Sequence, residues 1–383
     1  AMILPAFATA DIKMGVILGF TGPIESLTPD MGGSAEVAFK EASDSGLLLG
    51  GQKIVSVRAD STCIDNAAAT AAAERLVTAE KVAGIMGADC SGVTTAVANN
   101  VAVPNGVPMI SPSATSPALT TIADNGYFFR TAPSDARQGQ VLASITVERG
   151  ITSVAVTYVN SDYGKGLSDS FGKAFQALGG TVTISVPHET GKADYSAEVA
   201  SMDSAGGDAM AVFGYVNQGG PGIMQASLDS GSFDKFILAD GMYGDDLLTN
   251  VEGDLTGTFG TVPGTDSKGA ATYADMANAA GLKGSGPFTG ESYDAAALLI
   301  LAMQSAGSTD GAAIASNVMG VANAPGEKIM PGELAKGLRI LANGGAVDYV
   351  GATNVELTGV GEASGSYREF EIRNKAFQTV RFR

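Results

Sequence analysis

Val82-Ala83-Gly84-Ile85-Met86-Gly87 runs, after two residues, into Cys90-Ser91-Gly92-Val93-Thr94. Val107-Pro108-Met109-Ile110 runs directly into Ser111-Pro112-Ser113-Ala114-Thr115. In both, a short apolar run of strand character delivers small hydroxyl residues to the start of a helix. In open α/β sheets that rim, at the carboxyl ends of the strands, is where ligands bind. Helix-start N–H groups together with Ser and Thr hydroxyls suit a small carboxylate. The pair of segments therefore predicts an α/β fold holding a small anionic or zwitterionic solute.

Working outward, strand and helix patterns alternate. Strands are predicted over 13–20, 53–59, 82–87, 107–111 and 127–131, with helices over 31–44, 66–78 and 94–103. A second series follows, with strands over 153–159, 181–186, 209–215 and 236–239 and helices over 136–149, 166–178, 195–205 and 220–230. Such alternation implies parallel sheets covered on both faces. A strand over 258–263 leads into helices over 270–280 and 293–306, which return to the first domain. Residues 320–345 are rich in Gly, Pro and Asn and read as loops around a short helix over 331–338. The end reads as a hairpin, 367–372 with 377–382. A chain visiting domain one, two, one and two crosses between them three times, with candidate crossings at 131–132, 261–263 and 351–354. Three such connections allow closure about a cleft. The predicted lobes are 11–131 with 263–353, and 132–262 with 354–383.

Bulk properties narrow the function. With 383 residues and 45% hydrophobic content, the chain can fill two cores. The net charge is −17 and no Lys/Arg cluster offers a phosphate footprint, which argues against nucleic acid. The acidity reads as solubility in a crowded or salty compartment, or as attraction for a basic ligand or partner. Residues 1–10 (AMILPAFATA) read as the tail of an export signal, with Ala8-Thr9-Ala10 before the cut and the mature chain beginning near Asp11. No Cys stands at that cut to carry a lipid, and no later run of 18 apolar residues spans a membrane. The single histidine, His188, speaks against a zinc site, and no cofactor motif is present. Two cysteines, Cys63 and Cys90, each follow a strand. In an exported protein they form one bridge, and otherwise they are two unrelated thiols.

The segments IKMGVILGFTGP (12–23), ISPSATSPALT (110–120), FFRTAP (128–133) and DYGKGL (162–167), with Cys63 and Cys90, resemble the leucine/isoleucine/valine-binding proteins. These are periplasmic solute receptors of ABC importers. The resemblance implies the type I periplasmic binding fold, two Rossmann-like lobes joined by three hinge strands, with ligand in the interlobe cleft and a Cys63–Cys90 disulfide. It implies that Ser91 binds the ligand carboxylate and that the loop Ser113-Ala114-Thr115 shares carboxylate and α-ammonium. Tyr163 and Tyr215 match aromatics closing from the second lobe, and Asp240 matches the acid that pairs with the ammonium. A buried ammonium needs such a countercharge, and a tyrosine face adds a cation–π contact. Leu27 stands where relatives often carry an aromatic, and Asp240 is one methylene shorter than the Glu of many relatives. Glu25, in the same loop as Leu27, is either a solvated charge or a contact for a basic or amide side chain.

Plainer readings exist for each residue. Ser91 and Thr115 suit helix N-caps, Tyr163 and Tyr215 suit half-buried surface aromatics, and Asp240-Gly241 suits a turn. An enzyme on this scaffold lacks a Gly-x-Ser-x-Gly elbow, and His188 reads as a surface loop residue without a nucleophile partner. A sensor domain would require a membrane or DNA-binding segment. The expectation is a monomeric periplasmic receptor that closes on an amino acid or analogue and docks on a membrane permease. A non-amino carboxylate, amide or urea-like ligand is the alternative.

Overall fold

The computed structural model describes residues 11–383, so the segment read as an export tail lies outside the described residues. The first series gives β1 (Ile12–Leu18), α1 (Thr28–Asp44), β2 (Ile54–Asp60), α2 (Asn66–Glu74), β3 (Ile85–Gly87), α3 (Ser91–Val97), β4 (Met109–Ser111) and β5 (Phe128–Arg130). These strands form a five-stranded parallel sheet in the order β2-β1-β3-β4-β5. β1 lies inside it with six of its seven residues buried, as a strand covered on both faces must be.

The second series gives α4 (Asp135–Glu148), β6 (Ser153–Val159), α5 (Asp162–Ala177), β7 (Thr181–His188), α6 (Ser196–Ala205), β8 (Ala209–Phe213), α7 (Gly220–Ser230), β9 (Phe236–Leu238), α8 (Asp245–Asn250) and β10 (Phe259–Pro263). Its strands run β7-β6-β8-β9-β10 in parallel, the same order as the first sheet. Side-chain oxygens cap the helices where the sequence supplies them. Asp65 accepts from the Ala67 and Ala68 N–H groups, and Ser161 from that of Gly164.

The chain then returns to the first sheet with α9 (Lys268–Ala279), α10 (Thr289–Ala306), α11 (Gly311–Ala322), β11 (Glu327–Ile329), α12 (Leu334–Ala342) and β12 (Val347–Tyr349). α10 is buried almost all round, packing with β1, α1 and α11 in one core. Finally β13 (Tyr367–Arg373) and β14 (Ala376–Phe382) add antiparallel strands to β10, completing a seven-stranded sheet. Between β12 and β13, Gly361 O and Ala363 N–H bond the Arg130 backbone at 3.0 Å each, so this segment runs beside the edge strand β5.

Three expectations need correction. Residues 320–345 are not loops around one helix. β11 and β12 pair in parallel there, and α12 begins at Leu334 rather than at 331. Helix α11 was not anticipated, although Asp310 caps it through the Ala313 N–H. His188 is no surface loop residue: it ends β7 fully buried, in register with Val159, with Nδ1 2.9 Å from Thr157 Oγ1. Burial pushes its imidazole down to about 4, so it stays neutral.

Candidate functional site

A sheet ordered 2-1-3-4-5 has its topological switch between the first and third strands, and ligands collect outside the carboxyl ends of that pair. Here both sheets have that order, so there are two switch points, one beyond β1 and β3 and one beyond β6 and β8. They face each other across a small cavity of about 30 Å³.

The first sheet contributes Ile24, Leu27 and Met31 from beyond β1, Asp89, Cys90 and Ser91 from beyond β3, and Ser113 from beyond β4. The second contributes Tyr163 beyond β6, Tyr215 beyond β8, and Asp240 and Gly241 beyond β9. Of the sequence-derived candidates, Leu27, Ser91, Ser113, Tyr163, Tyr215 and Asp240 meet at this cavity. Ala114 and Thr115 lie just behind it. The Ala114 N–H donates to Ser111 Oγ at 3.0 Å, and its carbonyl accepts from Arg130 at 3.0 Å.

Hydrogen bonds assign directions to the hydroxyls. Ser91 is the first residue of α3 and not its N-cap. Its Oγ accepts the Ser116 N–H at 3.0 Å, leaving the hydroxyl proton free to donate. Ser113 Oγ donates to the Asp89 carbonyl at 3.1 Å. Ser116, not Thr115, caps the 3₁₀ turn Pro117–Thr121. Thr115 Oγ1 is buried without a partner. Asp89 is buried but well supplied, receiving the Gly19 and Cys90 N–H groups and the Ser61 hydroxyl. Cys63 and Cys90 are joined by a disulfide, which ties the residue before Ser91 to the end of β2.

The opposite wall is aromatic and acidic. Tyr163 and Tyr215 are buried and stack, ring centroids 5.3 Å apart with planes 19° apart. The Tyr163 hydroxyl donates to Asp240 at 3.3 Å and accepts the Gly241 N–H at 3.2 Å. Gly241 permits that approach, since a Cβ there would stand 2.9 Å from the Tyr163 oxygen and 2.5 Å from the Gly214 carbonyl. Asp240 opens a short 3₁₀ turn and is also 3% exposed, so the turn carries a buried carboxyl. Burial pushes it up to about 6, while Gln138 and Tyr163 beside it pull the other way.

Between these walls the surface is apolar: Ile24, Leu27, Met31 and Phe288. Phe288 comes from the turn before α10 with φ +59°, and nothing in its local sequence marks it for the site. Glu25 is exposed, accepts the Gly22 N–H at 3.2 Å, and takes no part in the cavity lining.

This geometry accords with the comparisons. Residues 11–334 match the family described as periplasmic binding protein. The chain belongs to that family. It is 29% identical over 327 residues to the Leu/Ile/Val-binding protein homolog 3 of Brucella melitensis, covering 82% of this chain and 84% of the relative. The branched-chain amino acid transporter substrate-binding protein LivJ of Streptococcus pneumoniae, solved in complex with isoleucine, superposes with a TM-score of 0.79 at 22% identity, covering 97% of this chain and 99% of that one. An ABC transporter solute-binding protein of R. palustris, solved with 4-hydroxybenzoate, gives a TM-score of 0.77 at 19% identity, covering 97% of each. Those two structural likenesses establish the two-lobed α/β fold. As a member of the periplasmic binding protein family the chain is a solute-binding protein and not an enzyme. Among the described residues no helix is long and apolar enough to cross a membrane.

Proposed function

We propose that this periplasmic binding protein captures an amino acid with an apolar side chain in the cleft and presents it to a membrane permease. Ser91, with its hydroxyl proton uncommitted, takes the carboxylate together with the Ser113-Ala114-Thr115 loop. Asp240 takes the α-ammonium, and Tyr163 and Tyr215 cover it. Ile24, Leu27, Met31 and Phe288 take the side chain. The lobes are 11–131 with 263–353 and 132–262 with 354–383, and the start of that last segment, with Val355, Leu357 and Ala363, packs on the first lobe beside Arg130 before the chain crosses to the second. Ligand enters the open form on the first lobe, and closure is selected by the added contacts of the second. The receptor works as a monomer in the periplasm.

The observation that carries this reading is the separation of chemistry in the cleft: a free hydroxyl donor on one wall, a carboxyl on the other, and only apolar side chains between. A thermal-shift screen of the stripped protein with the standard L-amino acids tests it. Ligand at about 100 times its dissociation constant adds roughly 2.7 kcal/mol. Stabilisation by apolar amino acids supports the reading, and stabilisation by none of them removes it. A second reading, a carboxylate without an amine, draws on Asp240 being pushed towards neutrality and on the R. palustris protein's 4-hydroxybenzoate. Benzoates belong in the same screen.

A further inference from the structure

The chain passes between the two sheets three times, from β5 to α4, from β10 to α9 and from β12 to β13, and all three passages line one cavity of about 10 Å³. Thr131 and Pro133 come from the first, Pro263 and Gly264 from the second, and Thr353 and Ser366 from the third. Among the described residues, Glu291 in the first turn of α10 is the one ionisable group on the cavity wall. It is 5% exposed, and no other described residue donates a hydrogen bond to its carboxyl. Asp294, one turn along the same helix, is by contrast supplied by the Tyr349 and Thr353 hydroxyls and by the Ala352 and Thr353 N–H groups. A cavity of this size has room for about one water at most, too little to hydrate a carboxylate. An unpaired, unhydrated charge is costly, so Glu291 is neutral here. Burial pushes it up to about 8, with Asp294 adding to the rise and Arg368 opposing it.

The opposite charge at hand is equally short of partners. Arg368 stands on β13 opposite Val262 of β10, and its Nη2 is 3.7 Å from where a Cβ on Gly264 would be, so the guanidinium borders the cavity wall. It forms no ion pair among the described residues. The other arginines of the hairpin are paired, Arg373 with Glu371, and Arg381 and Arg383 with Glu148 and Glu369. Arg368 Nη1 donates to the Tyr243 hydroxyl at 3.2 Å, while its Nε is buried without a partner. Tyr243 closes the turn that Asp240 opens, which ties Arg368 to the cleft wall of the second sheet. The remaining groups that face Glu291 are committed. The Tyr273 phenol, from α9, shares a hydrogen bond with Ser34 at 2.6 Å, and Glu362, from the segment before β13, accepts from Arg130.

Rotation of one lobe against the other is absorbed in the three passages, so the cavity that they enclose changes with it. We infer that Glu291 is a protonation switch in the hinge, neutral with the lobes closed and ionised with them open, where the widened cavity gives it water and the Arg368 guanidinium. Closure then takes one proton from solvent onto the Glu291 carboxylate, and no other bond changes. Because the closed form holds that proton more tightly, closure is favoured while Glu291 is protonated and is opposed as pH rises towards 8, by at most about tenfold per pH unit. The inference rests on the two-lobed closure of the proposed function and adds a control by solvent pH that does not depend on which solute is bound.

Glu291→Gln keeps the side-chain volume and fixes the neutral form. Small-angle X-ray scattering of the ligand-free protein between pH 6 and pH 9 is expected to show the radius of gyration of wild type growing as pH rises. Glu291→Gln is expected to stay at its pH 6 value. Arg368→Gln, which removes the counterion, is expected to move the wild-type change upward by about one pH unit. Calorimetric titration with L-leucine at pH 8, in two buffers of different ionisation heat, is expected to show wild type taking up a larger fraction of a proton than Glu291→Gln does. Circular dichroism melting identifies which variants are folded, and Arg368→Gln decides where Glu291→Gln is not. A folded variant whose radius follows that of wild type across the whole pH range overturns the switch. Wild type that binds no L-leucine overturns the amino-acid reading, and the scattering then decides the switch by itself.

Discussion

Asn217 Oδ1 accepts two hydrogen bonds from Ser26, one from its N–H at 3.1 Å and one from its hydroxyl at 2.9 Å. Asn217 follows β8 of the seven-stranded sheet, and Ser26 follows β1 of the five-stranded one. The Asn217 N–H also reaches the Pro23 carbonyl at 3.0 Å, and its amide donates to Asp246 at 2.6 Å. One side chain thus fastens the two halves at the mouth of the cleft. An exposed ion pair nearby, Lys283 with Asp245 at 3.0 Å, contributes little because solvent screens it. Asn217→Ala is expected to speed ligand release about five- to twentyfold, the equivalent of one or two neutral hydrogen bonds. Stopped-flow tyrosine fluorescence follows release in this tryptophan-free chain. An unchanged release rate would show that the contact does not hold the closed form.

The buried acids set a pH dependence. Burial pushes Asp240 up to about 6 and Glu291 up to about 8. A carboxyl whose folded pKa exceeds its unfolded value stabilises the fold in its neutral form, and that stability is lost as pH rises through the folded pKa. Ligand-free protein is therefore expected to melt several degrees higher at pH 5 than at pH 9. Below about pH 4 the sign reverses, since Glu148 and Asp208 are held down to about 2, Glu148 by Arg383 and Asp208 by Thr152. Ligand binding runs the other way across pH 6, because an ammonium needs Asp240 ionised, so affinity for an amino acid falls on acidification. A melting temperature that climbs steadily from pH 5 to pH 9 without ligand would contradict this account.

The Cys63–Cys90 bridge closes a loop of 27 residues in sequence separation. Chain entropy assigns such a crosslink about 3–4 kcal/mol, a model-dependent figure. Cys63→Ser with Cys90→Ser is expected to lower the denaturant midpoint accordingly and to weaken ligand binding, because Cys90 leads into Ser91. Equal affinity in the folded double variant would separate the bridge from the site.

Ser91→Ala removes a donor and also leaves the buried Ser116 N–H without its acceptor. A hydrogen bond to a charged group contributes about 1.5–3 kcal/mol. Calorimetry of the variant is expected to show at least about tenfold weaker binding of every carboxylate ligand. Wild-type affinity would move carboxylate recognition elsewhere.

The sequence made some of this readable and hid the rest for physical reasons. Ser153–Val159 and Gly220–Ser230 appear at their anticipated bounds because an apolar run and a glycine-bounded helix mark them locally. Ser91, Tyr163, Tyr215 and Asp240 are singled out by the family resemblance together with their place after strands, and they meet at one cavity because strand ends converge on a cleft in this fold. Phe288 carries no such mark. Phe288 reaches the cavity from a turn before α10, some 260 residues beyond the Leu27 it joins there, through tertiary packing alone. His188 was misread because Pro187 and Glu189 around it suggest a loop, whereas Thr157 supplies a buried partner.

The most direct test of the account is calorimetric titration of the stripped wild-type protein with L-leucine, 4-methylpentanoate and 3-methylbutylamine. A cleft built with a carboxylate wall and an ammonium wall predicts tight binding of L-leucine and, for each analogue, a loss on the order of 100-fold or more. Binding of 4-methylpentanoate as tight as that of L-leucine would contradict the assignment of Asp240 and its neighbours to an ammonium.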